Sequence, residues 1–167
     1  MKKISLTQGK FALVDDEDYE YLNQFKWHCH GDYRNDNYYA TRDIKSGDKW
    51  TSISIHRDIM KPPEDVLVDH RNRNGLDNRR ENLRTCTKSQ NGFNRKSQKG
   101  SSSKYLGVGW DAQFNKWRVR ATINGKAKFI GLFKTELEAG IISNITMRRH
   151  YGEFARPNKL VKINEGF

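Results

Sequence analysis

The stretch VDHRNRNGLDNRRENLRTCTKSQN, Val68 to Asn91, passes from apolar to polar and back before ending in a helix signal. The run Val66-Leu67-Val68 reads as a short buried strand. It leads into Asp69-His70-Arg71-Asn72-Arg73-Asn74-Gly75, where Asn-Gly is strong turn chemistry. A second strand is expected around Leu83-Arg84-Thr85-Cys86. Thr87-Lys88-Ser89-Gln90 has the Thr-x-x-Gln spacing of a capping box and predicts a helix with Thr87 as its N-cap. Strand, loop, strand and helix in about thirty residues cannot bury an independent core. The unit must lean on its neighbours or be organised by a bound metal.

Upstream, Lys10-Phe11-Ala12-Leu13-Val14 reads as a strand and Asp16 to Phe25 as a helix. The acids Asp15, Asp16, Glu17, Asp18 and Glu20 sit at the start of that helix, where its dipole favours them. Tyr38 to Arg42 and Trp50 to Ile55 read as paired strands, because Ile53 and Ile55 alternate with Ser52 and Ser54. His56 to Met60 is expected to form a short helix ended by Pro62-Pro63. Trp27-His28-Cys29-His30 carries three potential zinc ligands in a spacing no common zinc module uses, so these residues read as ordinary strand.

Downstream, Ser97 to Lys104 (SQKGSSSK) reads as a flexible linker. Tyr105 to Trp110, Trp117 to Ile123 and Lys126 to Phe133 are strand candidates, and Asn124-Gly125 is a favoured hairpin turn. A helix from Glu136 to about Tyr151 is expected to pack on the sheet through Leu137, Ile141 and Ile145. Along the middle strand Trp117, Val119, Ala121 and Ile123 point one way as core, and Arg118, Arg120 and Thr122 the other.

The chain has 167 residues with 31 Lys and Arg against 20 Asp and Glu, a net charge of +11 that favours polyanionic partners. The surplus is concentrated. From Arg95 to Lys134 the bases Arg95, Lys96, Lys99, Lys104, Lys116, Arg118, Arg120, Lys126, Lys128 and Lys134 are offset by Asp111 alone, with aromatics between them, which reads as a nucleic-acid surface. Hydrophobic residues make up only 35%, too few for one deep core, while 11% aromatics argue against disorder and for several thin cores. No apolar run approaches the roughly 18 residues of a membrane span, so no membrane partner is expected. The basic N-terminus lacks an apolar stretch, so no signal peptide is expected, and the two cysteines, Cys29 and Cys86, cannot build a disulfide framework. A bacterial or phage-infected host cytoplasm is the expected setting.

The ordered set Asp69-His70, the Leu76-Asp77-Asn78-Arg79-Arg80-Glu81-Asn82-Leu83-Arg84 lead-in, and Asn91 on the following helix resembles the HNH nuclease motif, in the phage homing variant whose last His is Asn. The resemblance implies a small ββα-metal module and a phosphodiester-cleaving site. Histidine titrates near neutrality, so His70 would take a proton from water as general base. Asp69 and Asn91 would offer hard oxygens to one divalent cation, Mg²⁺ or alternatively Mn²⁺. By the same resemblance Asn82 would pin the loop so that His70 is aimed, with Asn94 as the fallback ligand or a phosphate contact. His56 would pack beside the site, with a phosphate contact or catalytic assistance as the alternative. Adjacent strand residues face opposite sides, so Asp69 and His70 can share a site only if the strand ends there.

The segment from Tyr105 to about Asn158 resembles the ethylene-response-factor (Apetala-type) DNA-binding domain. Gly107-Val108, Lys116-Trp117-Arg118, Gly125-Lys126, Gly131 to Thr135, Glu138-Ala139 and Gly152-Glu153-Phe154-Ala155 carry that resemblance. It implies a three-stranded sheet laid in the major groove. Arg118 and Arg120 would be the leading base and phosphate contacts, with Lys116, Lys126, Lys128, Phe129 and Arg95 in support.

The expected architecture is α+β: an N-terminal extension (1–63), an HNH module (64–96), a linker (97–104), a sheet-and-helix DNA-binding domain (105–158) and a tail (159–167). The expected function is a metal-dependent homing-type endonuclease of double-stranded DNA. A monomer with one site would nick one strand, and a dimer or a second event would complete a break. The alternatives are a non-catalytic DNA-binding regulator and an RNA-binding or RNA-processing protein.

Overall fold

Short apolar–polar alternations pair into small antiparallel ladders along the chain, which a computed structural model describes over residues 1–32, 37–94 and 100–160. Two compact units result, Met1–Lys88 and Ser89–Phe167. Residues 64–96 were expected to form one module, yet the division falls inside that stretch.

In the first unit β1 (Lys2–Ser5) pairs with β2 (Phe11–Val14), burying Ile4, Ala12 and Val14 on one face. Helix α1 (Asp16–Leu22) follows with Asp16, Glu17 and Asp18 in its first turn. It stops short of the expected Phe25, and the Leu22 carbonyl accepts from the Phe25 backbone N–H at 3.2 Å and from the Trp27 indole N–H at 2.8 Å. The acids also act at a distance: Arg80 reaches Asp18 at 2.6 Å and Glu17 at 2.8 Å. Strands β3 (His28–Asp32), β4 (Asn37–Ser46) and β5 (Lys49–Ser54) form a meander in that order. One charged residue on the inner face of β4, Arg42, is accommodated by Asp58 at 2.9 Å and by the Phe25 ring, whose centroid lies 3.9 Å away.

Helix α2 (Ile55–Met60) ends in a left-handed Lys61 (φ 43°) just before Pro62-Pro63. Strands β6 (Leu67–His70) and β7 (Leu83–Cys86) complete the unit as a two-stranded ribbon. Leu22, Trp27, Cys29, Ala40, Ile55, Ile59 and Leu83 share a core with the β1–β2 residues. The ribbon therefore leans on the N-terminal extension for its apolar contacts.

Helix α3 (Lys88–Phe93) begins directly after Thr87 and belongs to the second unit from Ser89 onward. Its Phe93 stacks on Tyr151, centroids 3.8 Å apart and planes within 5°. Strands β8 (Val108–Asp111), β9 (Lys116–Ile123) and β10 (Lys126–Phe133) form a sheet with β9 central. Helix α4 (Glu136–Tyr151) carries a reciprocal capping box between Thr135 and Glu138.

The packing face of α4 differs from the expected one. Ile141 and Ile145 are 40% and 57% exposed, whereas Ala139, Gly140, Ser143, Asn144, Thr146 and Met147 are buried. Close approach explains this. A Cβ on Gly140 would come within 2.7 Å of the Tyr105 ring, so only glycine lets that ring lie against the helix. Ser143 Oγ donates to the Leu106 carbonyl at 2.7 Å, and the Asn144 side chain exchanges two hydrogen bonds with the Asn158 backbone at 2.6 and 3.0 Å. No helix of the described residues is long and apolar enough to cross a membrane.

Candidate active site

The β6–β7 register runs unbroken to the end of the ribbon, with Asp69 opposite Arg84 and His70 opposite Leu83. The strand includes both residues and ends at His70, where the sequence reading let it end, with Arg73 N donating to the His70 carbonyl at 2.9 Å in the turn that follows. Asp69 meets Arg84, whose Nε and Nη2 donate to Asp69 Oδ2 at 3.0 and 2.7 Å. His70, the last residue of the strand, has its own set of neighbours and is 5% exposed.

There the His56 ring stands perpendicular to His70, with centroids 5.0 Å apart, and the Tyr39 ring lies 5.9 Å from both. His70 Nε2 is 3.2 Å from Asn78 Oδ1, and His56 Nε2 is 3.0 Å from Ser54 Oγ. His56 Nδ1 is the one buried side-chain N or O atom without a hydrogen-bond partner among the described residues. Burial pushes the His70 imidazole below its ordinary value despite its Asn78 bond and the acids near it. Burial, with His70 and Arg57 alongside, takes His56 down to about 3. Both rings are consequently neutral at pH 7, the form that accepts a proton.

The loop after His70 is held from three directions. Asn82 spans it: its Oδ1 accepts from Asn72 N at 3.0 Å and its Nδ2 donates to the Asp77 carbonyl at 2.7 Å. Asp77 accepts from Asn72 Nδ2 at 2.8 Å and from Arg79 Nε and Nη2, both at 2.8 Å, and the Arg79 guanidinium holds its carboxyl below the usual range. Strand β2 supplies the third hold, since Leu13 N donates to Leu76 O at 2.7 Å and Asn78 N to Leu13 O at 2.8 Å. Gly75 lets this loop lie against β4, because a Cβ there would strike the Tyr38 carbonyl and the Tyr39 ring.

Asn91 is exposed on α3, in the second unit, and its carbonyl accepts from the backbone N–H of the buried Asn94 at 3.2 Å. Among the described residues no group of three or more His, Cys, Asp or Glu side chains is arranged to hold a metal ion. The oxygen donors of Asp69 and Asn91 suit a hard cation by chemistry, although Arg84 engages Oδ2 of Asp69.

On the C-terminal sheet, Arg120 is exposed opposite Phe129, itself 59% exposed, and Arg118 lies opposite Gly109, where no side chain covers it. Asp111 holds Arg118 at 3.0 Å and pairs in register with Lys116, so these residues share the outer face. Lys126 and Lys128 do not join them. They stand opposite Ile123 and Ala121, whose parity is that of the helix-facing side. Trp117 packs edge-on to Trp110 at 5.1 Å. Arg95 lies outside the described residues.

Asn78 and Tyr39, both at His70, were not singled out from sequence. Asn78 sits inside a polar run in which no spacing rule separates a buried amide from an exposed one. Only its position after Asp77 and before two arginines sets it apart.

A neutral imidazole beside a multiply bonded loop has a nitrogen lone pair able to accept a proton. Comparison with known proteins narrows the class. Residues 61–93 match a family model described as HNH endonuclease. The chain is 31% identical over 159 residues to an uncharacterized HNH endonuclease of Acanthamoeba polyphaga mimivirus, an alignment covering 92% of this chain and 77% of that protein. It is 32% identical over 95 residues to Protein 3.8 of Escherichia phage T7, covering 56% of this chain and 77% of the relative. No solved structure matches. The chain belongs to the HNH endonuclease family.

Proposed function

We propose that the chain is a metal-dependent endonuclease of the homing type that hydrolyses phosphodiester bonds in duplex DNA. The observation that carries this reading is His70, a buried neutral imidazole bonded to Asn78 at the mouth of a loop that Asn82 staples shut, within the matched segment 61–93. His70 accepts the proton of a water that attacks phosphorus in line, and the 3′ oxygen leaves. Asn82 acts through the loop and never touches the reacting atoms. Asp69 is the carboxylate assigned to the cation, and the motif gives the second ligand to Asn91. A bound Mg²⁺ or Mn²⁺ supplies neutralisation of the phosphoryl oxygens and of the departing oxygen.

The C-terminal unit serves as the sequence reader. An antiparallel sheet with Arg118, Arg120, Lys116 and Phe129 on its outer face supports an Apetala-type mode, with arginines at base edges and phosphates. Lys126 and Lys128 contribute charge from the hairpin end. The test is supercoiled plasmid incubated with purified protein in Mg²⁺, in Mn²⁺ and in EDTA. Open-circle product in either metal, absent in EDTA and absent with His70→Ala, supports the reading. Tight binding with no cleavage in either metal overturns it in favour of a DNA-binding regulator.

A further inference from the structure

We propose that Arg73 binds a backbone phosphate of the cleaved strand, next to the one that enters the His70 site, an inference that rests on the reading of the chain as a DNA endonuclease.

Arg73 is left-handed (φ 64°), a conformation that a Cβ disfavours and a glycine adopts freely. The turn does not let it relax. Arg73 N donates to the His70 carbonyl at 2.9 Å, and Asn72 Oδ1 closes over the residue by accepting from Asn74 N at 2.9 Å. Asn72 N is held by Asn82 Oδ1 at 3.0 Å, while Asn74 accepts Leu76 N on its side chain at 3.1 Å and Asp77 N on its carbonyl at 3.0 Å. The chain has its glycine two residues later, at Gly75, where close approach to β4 demands one, and an arginine where the backbone favours glycine. Strain of this kind persists where the side chain has a use.

The fold itself makes no use of this side chain. Arg79, Arg80 and Arg84 reach Asp77, Asp18 and Asp69 at 2.8, 2.6 and 2.7 Å, so those carboxylates are already matched. Lys61, left-handed as well (φ 43°), lies over the Tyr21 ring at 5.7 Å. The Arg73 guanidinium is exposed and, among the described residues, has no hydrogen-bond or ion-pair partner. Its place supplies the ligand class. The bond from residue 73 back to residue 70 closes a turn that keeps their Cα atoms within about 7 Å. His70 is buried and Arg73 exposed, so a phosphate that enters to reach the ring brings its neighbour on the strand to the guanidinium at the rim. A planar fork of N–H donors matches phosphate oxygens.

The test compares Arg73→Gly, Arg73→Ala and Arg73→Lys in the full-length chain. Arg73→Gly removes both strain and charge, Arg73→Ala the charge only, and Arg73→Lys neither. The urea midpoint of Arg73→Gly should lie above that of Arg73→Ala, with Arg73→Lys at the wild-type value. Affinity for duplex DNA, read by gel shift without metal, should fall about threefold or more in both Arg73→Gly and Arg73→Ala, with the salt slope reduced by about 1, and Arg73→Lys should keep the slope. The loss of plasmid cleavage in Mg²⁺ should appear in KM. Unaltered affinity and salt slope in Arg73→Gly and Arg73→Ala overturn the proposal, as does a loss confined to kcat, which would put the guanidinium on the scissile phosphate. Arg73→Gly no more stable than Arg73→Ala removes the strain on which the proposal is built. A wild-type chain that binds DNA without cutting it removes the endonuclease reading, and the gel shifts still report separately on whether Arg73 holds a phosphate.

Discussion

Arg84 grips Asp69 across the β6–β7 ribbon, its Nε and Nη2 converging on one carboxylate oxygen, with both side chains less than a tenth exposed. Removing one member of a buried ion pair strands the other charge, at about 3–5 kcal/mol. Asp69→Ala is therefore expected to lose stability of that order in urea denaturation, and Asp69→Ala with Arg84→Met to regain most of it. The double variant then isolates the metal. Against Arg84→Met alone, it should need about tenfold or more Mg²⁺ for half-maximal cleavage. An unchanged Mg²⁺ requirement clears Asp69 as a ligand.

His70→Ala is expected to reduce plasmid cleavage by about 10²–10⁴-fold, the usual contribution of a positioned base. Affinity for the same DNA, read by gel shift without metal, should stay within a few-fold. Lost binding would make His70 a structural residue.

Asn82→Ala leaves Asn72 N and the Asp77 carbonyl without their side-chain partner, at about 1–3 kcal/mol for each unsatisfied group. Hydrogen exchange at the Asn72 amide should accelerate together with the loss of cleavage. An Asn72 amide that stays protected would show that another group holds the loop.

Stability should depend on pH through the two imidazoles. Above pH about 6.5 folded and unfolded chains both keep them neutral, so they add no pH dependence. Below it the unfolded chain takes up protons that burial denies the folded chain, so stability falls as pH falls, down to about 3 for His56. The urea midpoint should drop between pH about 7 and pH about 5, and His56→Phe should flatten that slope. An equally steep slope in His56→Phe would locate the effect elsewhere.

Arg120→Ala is expected to relax preference at one base pair by about 1–3 kcal/mol, whereas Lys128→Ala should weaken binding evenly on all sequences and reduce the salt slope by about 1. Selection of binding sites from a random pool separates the two. Equal behaviour of both variants would mean that the outer face of the sheet reads no bases.

The elements that sequence made legible are those with strong local chemistry. The Asn124-Gly125 hairpin, the acids of α1, the Pro62-Pro63 stop and the β9 alternation each follow from one or two residues. What escaped depends on contacts between distant segments. The stripe Leu137-Ile141-Ile145 looked like a packing face because it is apolar, but Gly140 and Ser143 allow a closer approach, and closeness decided which side faces the sheet. Strand β1, four residues with two lysines, has no pattern of its own and exists by pairing with β2. At the site, the Asp-His pair and Asn82 were visible as a motif, while Asn78 and Tyr39 become meaningful only when the loop folds against β4.

The Leu13 backbone, which bonds both Leu76 and Asn78, bears on how this motif could be reused. A fragment beginning near residue 61 would keep every residue of the family signature yet lose the neighbouring strand along which the loop is laid. Grafting the signature onto another scaffold would require carrying Phe11–Val14 with it, or designing a substitute edge in the same place.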